Sequence, residues 1–248
     1  MKKRDIFFVK NKKGSHIGVV LSFIIFVIFL VFLYSTLEPL IKVDENKEFI
    51  AGYLEKALIE KISTNLTTLT ITIGGTVNQN CIILDNLIDG TKLSSKVIVK
   101  DYYKNIIPSY ISDTSNSDLI VDRESVGDTF LKIYGSEGFE NLDGRSTTGC
   151  QLLGTEYTIK LLKSSEYISQ AKTEELKNDY SGEYESLKEE LNIPEENDFG
   201  FGFIYNDGSK IETESENVTG DVYVEEIPVR YIDNEANILS GFIIIKIW

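Results

Sequence analysis

The sequence predicts an α+β protein: an N-terminal transmembrane helix with an amphipathic extension, then a mostly antiparallel β extracytoplasmic domain carrying one packed helix. Three observations predict it. Ile17 to Leu37 is a run of 21 residues without a charged side chain. Apolar residues then recur at spacings of three and four as far as Ile62, which marks one face of a helix. Beyond residue 65 the period falls to two, and polar turns bearing Gly, Asn or Asp punctuate the chain, as strands require.

The elements follow in order. Residues 1–16 hold Lys2, Lys3, Arg4, Lys10, Lys12 and Lys13 against one acid, Asp5. Basic flanks stay on the cytoplasmic side, so this segment reads as a cytoplasmic tail. Residues 17–37 read as the span. As a helix they extend about 32 Å at 1.5 Å per residue, close to the thickness of a bilayer's hydrocarbon core. A cleaved secretory signal has a shorter apolar core of about 7–15 residues and an A-x-A exit. Here the exit is Tyr34-Ser35-Thr36-Leu37-Glu38-Pro39, so an uncleaved anchor is expected, N-terminus inside and C-terminal domain outside.

Residues 38–65 read as an amphipathic helix or stalk. Phe49, Ile50, Tyr53, Leu54, Ala57, Leu58 and Ile62 fall on one face, with Glu48, Glu55, Lys56, Glu60 and Lys61 on the other. Asp44 or Asn46 suits the start, and Pro39 offers a kink. The apolar face needs a partner: the exterior domain in cis, or alternatively a neighbouring subunit.

Residues 66–248 read as one β-rich domain. In Leu66–Ile73, Leu69, Ile71 and Ile73 alternate with Thr68, Thr70 and Thr72. Further strands are expected at Cys81–Leu84, Val97–Val99, Leu119–Val121, Phe130–Tyr134 and Tyr157–Leu161, with Ser112–Asp118 and Gly135–Gly149 as the longest loops. The stripe Leu176, Tyr180, Tyr184, Leu187, Leu191 predicts one helix, weakened at Gly182 and ended before Pro194. Phe199, Phe201, Phe203 and Tyr205 share one strand face, while Gly200 and Gly202 on the other admit a close neighbour. Val222–Ile232 and Ile238–Trp248 follow, joined by Asp233–Asn237. The near-continuous apolar Gly241–Ile245 predicts a central strand covered on both faces.

Charge and composition exclude several functions. Of 25 Lys and Arg and 39 Asp and Glu, 19 and 38 lie after Leu37. A domain so acidic does not bind nucleic acid, which demands Lys and Arg against phosphates. The single histidine is His16, at the membrane edge. No Ser-His-Asp or Cys-His hydrolase and no histidine zinc site can be assembled outside. Ser94-Ser95-Lys96 and Lys163-Ser164-Ser165 make poor Ser-Lys dyads, since neighbours in a strand point to opposite faces. Carboxylate pairs for glycoside hydrolysis are too numerous to select. Asp207 with Glu212, Glu214 and Glu216, and Asp233 with Glu235, read as acidic loops without EF-hand spacing; the alternative is a calcium site, since oxygen-rich loops can hold that ion. No catalytic residue, cofactor or metal is expected.

Two cysteines, Cys81 and Cys150, lie in the exterior part. There a disulfide persists; the alternative is two buried free thiols. Asn65-Leu66-Thr67 and Asn217-Val218-Thr219 are glycosylation sequons.

Lys12-Lys13-Gly14-Ser15 stands directly before the apolar run. This arrangement resembles the class III signal peptide of archaeal type IV pilin-like proteins. The stretch from Leu187 to Pro194 with Asp198-Phe199-Gly200-Phe201, and the closing Ile245-Lys246-Ile247-Trp248, are similar to uncharacterised single-span archaeal surface proteins of this type. The resemblance implies a prepilin-type peptidase cutting between Gly14 and Ser15, with the apolar helix kept as the start of the mature subunit. It implies pilin-like subunits as partners through that helix, where Phe23, Phe26, Phe29 and Phe32 offer a stripe to a neighbour or to lipid. Ser15 to Leu37 lacks the glutamate or glutamine common early in pilin helices, and the head is large. A minor or tip subunit, or another adhesion or envelope component, fits better than a major pilin. The alternatives are a monomeric anchored binding domain that never polymerises and an anchored carboxylate-based hydrolase.

Overall fold

The structure is a computed structural model, and it describes residues 16–75, 77–123, 129–213, 218 and 221–248. The chain divides into two compact units, Met1–Phe49 and Ile50–Trp248.

In the first unit the described residues belong to helix α1, His16–Ile62, which is helical through Pro39. Gly18–Leu37 is 20 residues long with a mean hydropathy of 2.8, and none of its most apolar window is buried. Phe23, Phe26, Phe29 and Phe32 are all exposed. The hydroxyl of Thr36 donates to the carbonyls of Phe32 and Leu33, at 3.1 and 2.9 Å. A polar side chain is thereby satisfied inside an apolar helix without any outside partner.

The second unit begins with the last turns of α1. Its further elements are β1 (Ser63–Ile73), β2 (Cys81–Leu84), α2 (Leu87–Thr91), β3 (Val97–Lys100), β4 (Ile106–Ile107), β5 (Ser109–Ser112) and β6 (Ser115–Asp122). They continue with β7 (Phe130–Gly135), β8 (Gly144–Arg145), β9 (Gln151–Leu153), β10 (Tyr157–Ser169), α3 (Gln170–Gly182) and α4 (Tyr184–Glu190). The last are β11 (Phe199–Ile204), β12 (Lys210–Glu212), β13 (Tyr223–Ile232) and β14 (Ile238–Ile247).

The strands form a nine-stranded sheet, β12-β11-β14-β13-β10-β1-β7-β3-β4, and a five-stranded sheet, β8-β5-β6-β2-β9. Pairing is mostly antiparallel. The nine-stranded sheet has two halves joined at one seam. There β10 and β13 run parallel for two residue pairs, Ile168 with Tyr231 and Ser169 with Ile232. By contrast β13 pairs with β14 from Tyr223 to Ile232, and β1 with β10 from Ser63 to Ile73.

Each half has its own core. Phe199, Phe201 and Phe203 of β11, Tyr231 of β13, and Ile243, Ile245 and Ile247 of β14 pack with Leu176 and Tyr180 of α3 and Leu187 of α4. The end of α1 completes this core with Ala51, Leu54, Leu58 and Ile62, all buried. Each fully buried Leu or Ile there contributes about 1.5–3 kcal/mol of transfer free energy. In the other half, Leu69, Ile71, Val97, Val99, Leu131 and Ile133 meet Ile82, Leu84, Leu119 and Val121 of the five-stranded sheet. A third cluster, Leu66, Phe139, Ile232 and Ala236, fills the seam.

Several expectations are corrected. The extension ends at Ile62 and β1 begins at Ser63, not Leu66. Its buried face is Ala51, Leu54, Leu58 and Ile62, whereas Phe49 and Tyr53 are exposed. Ser112–Asp118 is no loop: Ser112 pairs with Ser115 in a hairpin of β5 and β6. The one packed helix is two, α3 and α4, separated at Glu183, and α2 is a further short helix. Their shared stripe of Leu and Tyr is what made them read as one. β14 is central, between β11 and β13, but only one face is buried, and Phe242 on the other is 40% exposed. β10 runs to Ser169 rather than Leu161, through a polar stretch without alternation.

Candidate functional site

The seam holds a connected polar cluster built on Lys100, Asp233 and Asn237. On β3, Val97 and Val99 enter the core, and Lys100 falls on the opposite face with Ile98. Lys100 is nonetheless 97% buried (3% exposed). Its stem lies at the seam, its Nζ stands 5.8 Å above the Tyr134 ring, and it donates to Asn237 Oδ1 at 2.8 Å. Burial pushes the amine below the usual lysine range, and the neighbouring Lys104 adds to this, while Asp233 and Glu235 oppose it.

Asn237 is delivered by the turn between β13 and β14. Asp233 Oδ1 accepts the amides of Glu235 and Asn237 at 2.9 and 2.7 Å. Asp233 Oδ2 accepts Asn237 Nδ2 at 2.8 Å, and Glu235 Oε2 lies 3.4 Å from the same nitrogen. The turn closes with Ala236 at φ 59°, a left-handed conformation usually reserved for Gly at this place in a hairpin. The Ala methyl is instead buried in the seam cluster. That conformation costs about 1–2 kcal/mol, so packing must hold it.

The seam also leaves two strand edges open. From Tyr157 to Tyr167, β10 pairs with β1 alone, and from Val224 to Arg230, β13 pairs with β14 alone. Every second residue on such an edge turns its N–H and C=O outward. Ile159, Leu161 and Leu162 are exposed on β10, beside Lys160 and Lys163. In the crotch of the two strands lies a cleft of about 520 Å³, lined by Ile59, Lys163, Tyr167, Val229 and Arg230 among others. The Arg230 guanidinium sits 5.5 Å from the Tyr167 ring centre. A larger cleft of about 690 Å³ separates Ile106 and Pro108 from Glu174, Glu175 and Asn178.

The residues singled out by sequence are dispersed. Cys81 and Cys150 form a disulfide, which staples the start of β2 to the start of its parallel neighbour β9. Asn65 lies exposed in β1, opposite Glu166. Gly14, Ser15 and Asn217 lie outside the described residues. His16 is the exposed first residue of α1. Ser94 donates to Glu137 and Lys96 to the Glu137 carbonyl, so they serve a loop and not each other as nucleophile and base. Asp207 is occupied by Ser209, and Glu212 by Lys210 and Lys246. Glu214 and Glu216 lie outside the described residues. Among the described residues no group of three or more His, Cys, Asp or Glu is arranged to hold a metal.

Lys100 and Asn237 escaped the sequence reading. A faint signal was there: Lys100 closes the apolar Val97-Ile98-Val99, and Asn237 ends the acidic turn read as a loop. Compared with protein-family models, curated proteins and solved structures, the chain finds no match.

Proposed function

We propose that the protein is a non-enzymatic, pilin-like surface protein, held in the plasma membrane by Gly18–Leu37 with its β-rich domain outside. One observation carries this reading. Gly18–Leu37 offers a bilayer-length helix with no buried part, in the same chain as a disulfide-stapled domain. Large apolar side chains exposed along 20 residues are stable in lipid or against identical helices, not in water. The disulfide suits an oxidising compartment. After cleavage at Gly14-Ser15 the helix could move from lipid into a filament core, with Phe23, Phe26, Phe29 and Phe32 as contacts.

The open edge of β10 favours a second reading, a signal-anchored binding domain that does not polymerise. An edge with exposed apolar side chains suits recognition of an extended segment. The native N-terminus separates the two. Extraction from membranes with detergent, followed by mass spectrometry, should find a mature chain starting at Ser15. An intact basic tail would favour the fixed anchor. Quantitative recovery of the full chain in a detergent-free soluble fraction would refute both.

A further inference from the structure

We propose that Lys100 and Asn237 join in an intramolecular isopeptide bond, Nζ to Cγ, with release of ammonia. This inference concerns the chemistry of the domain itself and does not rest on the anchored-pilin reading.

Lys100 is an unusual lysine. Lys61, Lys96, Lys188, Lys210 and Lys246 pair with carboxylates. Buried ammonium groups ordinarily do the same, because an unpaired charge is costly there. Lys100 instead meets a carboxamide, while the carboxylate of Asp233 holds the other end of that carboxamide through Nδ2. A desolvated lysine is more readily the neutral amine, the form that attacks carbonyls. Its nitrogen touches Asn237 Oδ1, next to the carbon it would attack.

The step balances without an added reagent. The Lys100 amine adds to Asn237 Cγ, forming the Nζ–Cγ bond. Asp233 takes one proton from the attacking nitrogen and delivers it to Nδ2, to which it is already hydrogen-bonded at 2.8 Å. The Cγ–Nδ2 bond breaks, and ammonia leaves. Amides resist amines in solution, but effective molarities of about 10⁵ M and above attend groups fixed in near-attack geometry. The fixing elements are the seam cluster under Ala236 and the two amides held by Asp233.

The position gives the bond a purpose. Lys100 and Asn237 are 137 residues apart and belong to opposite halves of the nine-stranded sheet. Between those halves the backbone ladder is only two residue pairs long, and the small seam cluster adds to it. A covalent tie here would stop the halves from peeling apart.

Mass spectrometry of the full chain, purified in detergent and digested with trypsin, tests the proposal. Bond formation blocks cleavage at Lys100. It yields a branched product in which residues 97–104 are joined to residues 231–246, one ammonia lighter than the two together. Finding residues 97–100 and 231–246 as separate unmodified peptides throughout would overturn it. Lys100→Arg should abolish the branched product. Asp233→Asn, with its fold checked by circular dichroism, should reduce it from near-complete to trace. Full branching in Asp233→Asn would refute the proton transfer by Asp233. The wild-type digest decides the bond itself, whether or not either variant folds.

Discussion

Ile168 of β10 lies opposite Tyr231 of β13, in a parallel ladder two residue pairs long that carries the large sheet from one half to the other. On either side the pairing is extensive, yet the edges of β10 and β13 separate immediately beyond it. Hydrogen exchange should report this directly. Amides of β1, hydrogen-bonded to β7 and β10 in the middle of its half, open only with the domain and should be strongly protected. The outward-facing amides of β10 between Thr158 and Glu166, and of β13 between Val224 and Arg230, should exchange within the first time points. Uniform protection along β10 would mean that the edge is covered in solution.

Gly241 gives a second prediction. It lies in β14, and a Cβ there would stand 2.5 Å from the Ile204 carbonyl oxygen, 3.1 Å from the Phe203 ring and 3.2 Å from the Tyr231 ring. Relief would require backbone of β11 and two core rings to move together. Overpacking of this kind costs about 1–3 kcal/mol, and a backbone contact places it at the upper end. Gly241→Ala should therefore lower the denaturation midpoint clearly. Gly182→Ala, with open space around it in the last turn of α3, should not. Equal effects of the two would remove the steric explanation.

These two glycines also show what could be read from sequence and what could not. The antiparallel strands with clean alternation, such as Leu69, Ile71 and Ile73 in β1, declare their buried face through period two. The short partners β4, β8, β9 and β12 hold only two or three residues, too few for any period, and exist because neighbouring strands offer free edges. The buried face of α1 passes through Ala51 and not Phe49, because helical spacing admits two adjacent stripes and only burial in the core that also holds Phe199 and Ile245 selects between them. The seam was invisible for a different reason. Lys100 and Asn237 are far apart in sequence, and single-chain patterns carry no information about which distant turns meet. The disulfide partners were legible, since two cysteines allow one pairing.

A third prediction concerns acid. Asp198 accepts from Lys188 Nζ at 2.9 Å and from the Tyr184 hydroxyl at 2.8 Å, tying α4 to the start of β11. The Lys188 hydrogen bond, then the one from Tyr184, hold its carboxyl below the usual range, with burial opposing them. A depressed folded pKa makes a stabilising contribution that is full above the unfolded value, about pH 4, and fades as pH falls through the folded value. The carboxylate is half exposed, so screening keeps this contribution modest. Asp198→Asn should lower the melting temperature at neutral pH, and the gap from wild type should shrink as pH drops below about 4. A gap that widened in acid would reverse the assigned sign.

The disulfide offers a fourth. It closes a separation of 69 residues and holds β9, a three-residue edge strand, against β2. In the chain-entropy model, a loop of this length contributes about 4 kcal/mol through the unfolded state. Reduction, or Cys150→Ser, should therefore lower global stability by about 2–4 kcal/mol. It should also deprotect the amides of Gln151, Leu152 and Leu153 before those of β1.

The last prediction runs against intuition. The Tyr205 hydroxyl is buried beyond the end of β11 with no hydrogen-bond partner among the described residues. Its ring packs against Phe203 and Tyr231, with centroids at 4.9 and 5.5 Å. Burial pushes its phenol above the ordinary range, and the nearby Glu174 and Asp207 push in the same direction. A buried polar group left without a partner costs about 1–3 kcal/mol, whereas an apolar replacement of the same shape leaves the packing intact. Tyr205→Phe should thus stabilise the domain by about 1 kcal/mol, or about 2–4 °C in Tm for a unit of this size. Tyr231→Phe should do the opposite, because the Tyr231 hydroxyl accepts the Asn206 amide at 3.2 Å. The pair can be compared in one thermal melt series, and a loss of stability in Tyr205→Phe would reveal a partner for that hydroxyl.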